Sequence, residues 1–273
     1  MKISVIIPTY KPQDYLWECL DSLVAQTFPK EDFEVVLVLN GCSEPYKSNI
    51  EQYISTKMGD MNVNFIYTEI RGVSNARNIA LDIVRGEFIT FIDDDDFVSS
   101  DYLKELYNKA DRNTISICYP YAFKDGDCKQ IHYSLTDTYD RLRVYGKQHY
   151  SNARKFFSGP CMKLIPKSFI NDRRFDERFE NGEDSLFMFL ISDNFKIVNF
   201  TSHYAVYHRR YREGSAVTRK RSKRSIILNG IRLLMASTQI WICNPFRYDF
   251  SFYMTRCLGY IKGILINCKG KLL

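Results

Sequence analysis

Residues 86–97 read GEFITFIDDDDF, an apolar run that ends in four consecutive aspartates. Phe88, Ile89, Phe91 and Ile92 predict a strand buried inside a sheet. Such a strand delivers Asp93, Asp94, Asp95 and Asp96 together at the sheet's carboxyl edge, where open α/β folds bind ligands. Four ionised carboxylates this close repel one another, and raised pKa values, solvent or a cation must relieve them. Mg²⁺ and Mn²⁺ take oxygen ligands and complete their shells with substrate phosphates, so the run predicts a metal–diphosphate site. Its plainer reading is an acidic loop ahead of a helix started by Ser99, Ser100 and Asp101. The buried strand in front of it favours the site.

The chain before this stretch alternates strand and helix. Ile3 to Ile7 is an apolar run closed by Pro8. Leu16, Leu20, Leu23 and Val24 recur at helical spacing. Val35–Leu39 predicts a second strand, 46–57 a helix, and Val63–Tyr67 a third strand. Ala76, Ala80 and Ile83 mark a helix with Gly86 as its stop. This order means βαβ units and a mostly parallel sheet. Downstream, Ile117–Phe123, Phe195–Phe200 and Tyr204–Tyr207 predict strands, and Ser185–Ile191 a helix. Residues 124–160 are polar and Tyr-rich, with no clear period. Residues 225–242 and 250–267 predict two amphipathic helices broken around Asn244-Pro245.

The strand ends share one rim. Thr9 and Tyr10 follow the first strand, Asn40, Gly41 and Ser43 the second, Arg71-Gly72 the third, and the aspartates the fourth. A helix opening at Gly72 points free N–H groups at that rim, which favours an anion. The rim therefore suits a nucleotide diphosphate. No G-x-G-x-x-G turn and no Walker A pattern is present, which disfavours NAD enzymes and P-loop NTPases.

Four segments in order, SVIIPTYK, GVSNARNIAL, GEFITFIDDDDF and NGEDSLF, make the chain resemble a family-2 glycosyltransferase of the GT-A fold. The resemblance is specific over residues 1–100, looser over 150–215 and absent in the last 50. It implies an α/β nucleotide-sugar-binding region (1–120), an acceptor-binding and catalytic region (121–218) and a basic helical tail (219–273). The implied activity is metal-dependent transfer of a hexose or N-acetylhexosamine, with inversion, from a nucleotide diphosphate donor. The implied acceptor is a saccharide or lipid-linked saccharide of a cell-surface polysaccharide.

By resemblance, Asp93 and Asp95 form the D-x-D pair. Asp95 is the implied ligand of Mg²⁺ or Mn²⁺, Asp93 meets ribose or metal, and Asp94 and Asp96 support them. Pro8, Thr9 and Tyr10 match the loop beneath the base, and Arg71, Arg77 and Asn78 the segment lining the nucleotide. Arg77 and Asn78 read equally well as polar residues of a helix. Glu183-Asp184 matches the late acidic pair, with Asp184 as the base that takes the acceptor hydroxyl's proton and Glu183 beside it. The plain alternative is an acidic pair complementing a helix N-terminus. His208 to Arg212 matches a loop that closes on the diphosphate through Arg209 and Arg212, with His208 as a weaker metal candidate. Phe156, Phe157 and Lys163 line the acceptor site or belong to the core. The family usually has two aspartates after strand two, and here Leu39-Asn40 stand there. Asn40 still accepts through its carbonyl, so a UDP donor is expected.

Composition sets the outer bounds. At 273 residues, 45% hydrophobic and 26% charged, the chain has an ample core. Eight scattered cysteines without C-x-x-C spacing read as reduced thiols in a cytoplasmic protein. The start is no signal peptide by this reading, since its apolar run ends at Pro8. No charge-free apolar stretch of 18 residues predicts a spanning helix. The net charge of +6 is concentrated between Arg209 and Arg224, with eight Lys or Arg against Glu213. That basic run before two amphipathic helices suits peripheral contact with an anionic membrane, or else helices packed on the domain or on a second copy. No nucleic-acid recognition motif accompanies it. A sugar-phosphate nucleotidyltransferase would need a Gly- and Lys-rich loop where TYKPQD stands. A processive synthase would need spanning helices and a Q-x-x-R-W motif. A non-catalytic nucleotide-sugar-binding module would have no need of Asp93–Asp96 and Glu183-Asp184.

Overall fold

The computed structural model describes residues 1–212 and 222–268. The first half runs β1 (Ile3–Thr9), α1 (Tyr15–Val24), β2 (Phe33–Asn40), α2 (Tyr46–Lys57), β3 (Asn62–Thr68), α3 (Val73–Ile83) and β4 (Phe88–Phe91). There follow β5 (Phe97–Val98), α4 (Tyr102–Lys109), β6 (Thr114–Ile117), β7 (Tyr119–Lys124), β8 (Asp127–Gln130) and α5 (Ser134–Leu142). The chain continues through β9 (Gln148–His149), β10 (Lys163–Pro166), α6 (Lys167–Ile170), α7 (Glu183–Leu190), β11 (Ile197–Phe200) and β12 (Val206–Tyr211). It closes with α8 (Lys223–Cys243) and α9 (Phe250–Cys268).

Eight strands form one sheet in the order β3-β2-β1-β4-β10-β6-β11-β9. β1 to β4 run parallel, and β10 enters antiparallel between β4 and β6. The result is a GT-A-like α/β fold. Every residue of β1 and β2 is buried, as expected of strands covered on both faces. Side chains alternate between the two sides. Ile3, Val5 and Ile7 meet Leu16, Leu20 and Leu103, while Ile6, Val36 and Val38 meet Ala76 and Ala80. A second, four-stranded sheet, β5-β12-β7-β8, stands beyond the end of β4.

Three local expectations change. Gly86 is not the stop of α3, which ends at Ile83 with Val84 after it. A Cβ on Gly86 would lie 2.5 Å from the Ser4 amide nitrogen, so glycine is required there by the approach of β1. The apolar run 117–123 is two strands, β6 and β7, in different sheets, because the chain crosses between sheets at buried Cys118. Residues 124–160 hold β8, α5 and β9. Buried Thr136, Thr138 and Tyr139 give α5 an inward face that apolar spacing does not reveal.

The tail is a helical hairpin packed on the domain. Leu233 of α8 joins Phe179 and Leu186, and Phe252 of α9 enters the aromatic core with Phe157 and Phe189. By length and composition α8 can cross a membrane, with a mean hydropathy of 1.4 over a window that is 17% buried. Arg232 inside it is the charge that breaks the apolar run. Residues 219–221 of the basic run lie outside the described residues.

Candidate active site

β4 ends in a tight turn, closed by the Asp96 amide donating to the Asp93 carbonyl at 3.1 Å. The turn splays four carboxylates toward four partners. Asp93 Oδ1 accepts from Arg77 Nη2 at 3.0 Å, and Asp94 Oδ2 from Thr9 Oγ1 at 2.5 Å. Asp95 Oδ2 accepts from Arg212 Nε at 2.7 Å, and Asp96 Oδ1 from the Arg210 amide at 2.8 Å. Burial pushes Asp94 up to about 7, with Asp95 adding repulsion and Thr9 opposing. Burial likewise raises Asp95, helped by Asp93 and resisted by Arg212. Asp96 is held well above its usual range by burial and by the charges of Asp95 and Asp93. The cluster is short of positive charge, which is what a hard cation supplies.

Arg77 connects this cluster to the late acidic pair. It is 2% exposed, on the face of α3 that carries Ala76 and Ala80 into the core. Its Nη1 donates to Asp184 Oδ1 at 2.5 Å, while Nη2 holds Asp93. Burial opposes its charge, but Asp184 and Asp93 hold its pKa above the usual value. α7 opens at Gly182, whose φ of +84° favours glycine, so Glu183 and Asp184 stand in the first turn, where the helix dipole favours anions. Burial pushes Glu183 up to about 7, with repulsion from Asp184. Asp184 is raised by burial, against the pull of Arg77.

The other candidates fall into two groups. Tyr10 lies at the rim with Arg71 over its ring at 4.5 Å, and Pro8 and Thr9 end β1 beneath them. Asn40 is a clip: its Nδ2 donates to the Thr9 carbonyl at 2.7 Å and its Oδ1 accepts from the Gly72 amide at 2.9 Å. Only one lone pair of Oδ1 is left for a base. Asn78 faces away from the aspartates, exchanging bonds with the Phe175 backbone at 2.8 and 2.9 Å. Residues 206–211 form a paired strand, β12, rather than a loop. Alternation along it sends the Tyr207 hydroxyl to the Asp93 amide and puts His208 on the other face. There His208 stacks on Phe97 at 4.4 Å, and burial lowers it to about 4. It is neutral and does not join the carboxylates. Arg209 donates to the Tyr133 hydroxyl at 2.8 Å, and Arg212 alone of that pair reaches an aspartate side chain. Phe156 and Phe157 are core.

Sequence reasoning missed Tyr207 and Arg210, and left Lys163 undecided. Arg210 ties the turn to the rest of the rim, donating to the Asp95 carbonyl at 2.9 Å, to Asp125 at 2.7 Å and to Glu18. Lys163 is 1% exposed and donates to the carbonyls of Gly159 (2.7 Å) and Cys161 (2.5 Å). Burial lowers it to about 8. The one available signal was a lysine inside the apolar run CMKLIP.

A family model described as Glycosyl transferase family 2 matches residues 4–174. The chain belongs to glycosyl transferase family 2. It is 30% identical over 217 residues to a poly(ribitol-phosphate) beta-N-acetylglucosaminyltransferase, TarS, of Staphylococcus aureus strain Mu50, covering 78% of this chain. It is 28% identical over 225 residues to the glycosyltransferase GlyA of Streptococcus pneumoniae serotype 4, again covering 78% of this chain. The chain spans 36% of the first relative's length and 31% of the second's. Among solved structures, S. aureus TarS 1–349 in complex with UDP-GlcNAc superposes with a TM-score of 0.74 at 24% identity, over 96% of this chain and 72% of that one. A mannosyltransferase of Pyrobaculum calidifontis in complex with GDP-Man and Mn²⁺ superposes at 0.63 and 18% identity, over 98% of this chain and 73% of that one. At these identities the superpositions establish the fold.

Proposed function

We propose that this chain transfers a hexose or N-acetylhexosamine, with inversion, from a nucleotide diphosphate donor to a hydroxyl of a saccharide or lipid-linked saccharide. UDP is the favoured donor base, and the product is a cell-surface polysaccharide. The observation that carries the reading is the pair of salt bridges from Arg77 to Asp93 and Asp184. It holds a donor-side carboxylate and a candidate base on one buried guanidinium.

The carboxylates fit a divalent cation. They offer hard oxygen ligands, three of the four have raised pKa values, and Asp93 and Asp95 would hold the ion. Among the described residues no group of three or more His, Cys, Asp or Glu side chains is placed to hold a metal ion by itself. Donor-phosphate oxygens completing the shell accord with that. When bound, Mg²⁺ or Mn²⁺ supplies Lewis-acid stabilisation of the departing diphosphate. The rest is done by the chain. Asp184 accepts the acceptor hydroxyl's proton as its oxygen bonds to the anomeric carbon and the bond to the diphosphate breaks. Arg77 orients Asp184, and burial keeps that carboxylate basic. Exposed Arg71 over the half-buried Tyr10 ring forms a stacked platform suited to a base. UDP is favoured because the S. aureus structure was obtained with UDP-GlcNAc. The P. calidifontis structure is a complex with GDP-Man and Mn²⁺, which makes GDP the competitor to test.

Calorimetric titration of UDP, GDP, dTDP and CMP, each with Mn²⁺ and with EDTA, tests the donor half. Metal-dependent tightening for UDP is expected. Better binding of GDP overturns the choice of base, and no binding of any diphosphate overturns the reading.

A further inference from the structure

The α8–α9 hairpin has two unlike sides. On the domain side, Leu233 packs on Leu186, Asn229 donates to the Asn181 carbonyl at 3.0 Å, and Tyr260 bonds Ser185 at 3.1 Å. These contacts brace the helix that opens with Glu183 and Asp184. The helices also approach each other closely, since a Cβ on Gly230 would lie 2.5 Å from Ile264 Cδ1.

The outer side is apolar. Ile227, Leu228, Ile231, Met235 and Ile242 of α8 are exposed. At 3.6 residues per turn they fall within an arc of about 100°. Phe250, Met254, Leu258, Ile261 and Leu265 of α9 are exposed and fall within about 80°. Both arcs lie away from Leu233 and Phe252, which face the domain. Phe246, at the turn between the helices, is fully exposed.

Charge identifies what covers this face. From residue 222 to 268 there are six Lys or Arg and one acid, Asp249. Arg256 alone of the six turns inward, to the Phe157 carbonyl. Arg232 and Lys262 are exposed beside the apolar stripes, and Arg247 is exposed near Phe246. A second copy of this face would bring like charges together. An apolar stripe flanked by basic side chains instead matches an anionic bilayer, with acyl chains under the stripe and headgroups at its edges.

We propose that the outer face of the α8–α9 hairpin lies on an anionic membrane surface. This brings the opening of α7, with Asp184, to the bilayer and selects a lipid-linked acceptor. The acceptor step rests on the transfer reading, whereas the membrane contact does not.

The test is flotation of the full chain with phosphatidylglycerol:phosphatidylcholine (1:1) vesicles and with phosphatidylcholine alone, alongside light scattering for oligomeric state. Binding to the anionic vesicles only is expected. Met235→Glu with Leu258→Glu should lower it at least tenfold, and Arg232→Glu about fivefold. Both variants change exposed positions, and circular dichroism checks their fold. Should the paired variant unfold, the near-isosteric Met235→Gln carries the same comparison. No flotation, equal flotation on both vesicles, or full binding by the variants overturns the proposal. So does an oligomer that the paired variant dissociates without any vesicle binding. Flotation without sugar transfer would leave the contact standing and sink only the acceptor step.

Discussion

Arg77 Nη1 lies 2.5 Å from Asp184 Oδ1, and the two residues are 107 positions apart in the chain. The same guanidinium holds Asp93. Replacing Arg77 by Met would leave both carboxylates without their counter-charge, at a cost of about 3 kcal/mol. The double variant Arg77→Met/Asp184→Asn should recover part of this, with a coupling of about 1 kcal/mol or more. Denaturant midpoints measure it. Strict additivity of the two single changes would show that the bridge does not act as a unit.

Asp184→Asn keeps the shape and the acceptor oxygen facing Arg77 but cannot take a proton. Transfer should fall about 10²- to 10⁴-fold, while donor binding changes little. Single-turnover assays beside nucleotide titration separate the two. Unchanged turnover would remove Asp184 as the base and leave Glu183, buried next to it, as the candidate.

Asp94 and Glu183 give a pH signature. Their pKa values rise on folding from 3.8 and 4.5 to about 7 in each case. Groups raised in this way stabilise the fold fully below their unfolded values, and that contribution is lost as pH rises through about 7. Asp94→Asn, which cannot ionise, should therefore gain stability relative to the native chain between pH 4 and 7. After discounting for solvent the gain is on the order of 2 kcal/mol. Transfer should change in the opposite sense, rising with pH as Asp184, whose carboxyl burial holds above its usual range, loses its proton. Thermal scans at pH 5 and 8 check the first claim and a pH–rate profile the second.

How much of this was legible depends on whether the signal was local. β1, β2 and the aspartate turn were, because Ile3–Ile7, Val35–Leu39 and Phe88–Ile92 are apolar runs ended by turn or polar residues. Arg77 could be placed on a helix, but its partners come from β4 and α7, and no period in the chain encodes that meeting. His208 fails for a related reason. Its neighbour Tyr207 faces Asp93, and which of the two does so is set by the pairing of β12 with β5 and β7. Asn40 is expected to meet the base, and its clip between the Thr9 carbonyl and the Gly72 amide depends on the meeting of three strand ends that no local pattern encodes. Lys163 reads from the sequence as either an acceptor-site or a core residue, and its burial decides for the core. Its support is two backbone carbonyls in a stretch with no regular structure before β10.

Asp95 and Arg212 supply the last prediction. In the free chain Arg212 Nε donates to Asp95 at 2.7 Å, and its guanidinium lies over the Tyr15 ring at 4.7 Å. A cation on Asp95 competes with that contact, because both seek the same carboxylate. Arg212→Gln should then strengthen Mn²⁺ binding without nucleotide, since it frees Asp95 and removes a repelling charge. It should weaken UDP in the presence of Mn²⁺, if the displaced guanidinium turns to the diphosphate. Asp95→Asn should abolish the Mn²⁺-dependent part of UDP affinity, at least about tenfold, and leave metal-free binding as it was. Free Mn²⁺ measured by electron paramagnetic resonance gives the first quantity, and calorimetric titration of UDP with Mn²⁺ and with EDTA gives the other two. Mn²⁺ affinity unchanged in both variants would place the cation elsewhere and leave Asp95–Arg212 as an ion pair that only holds the turn.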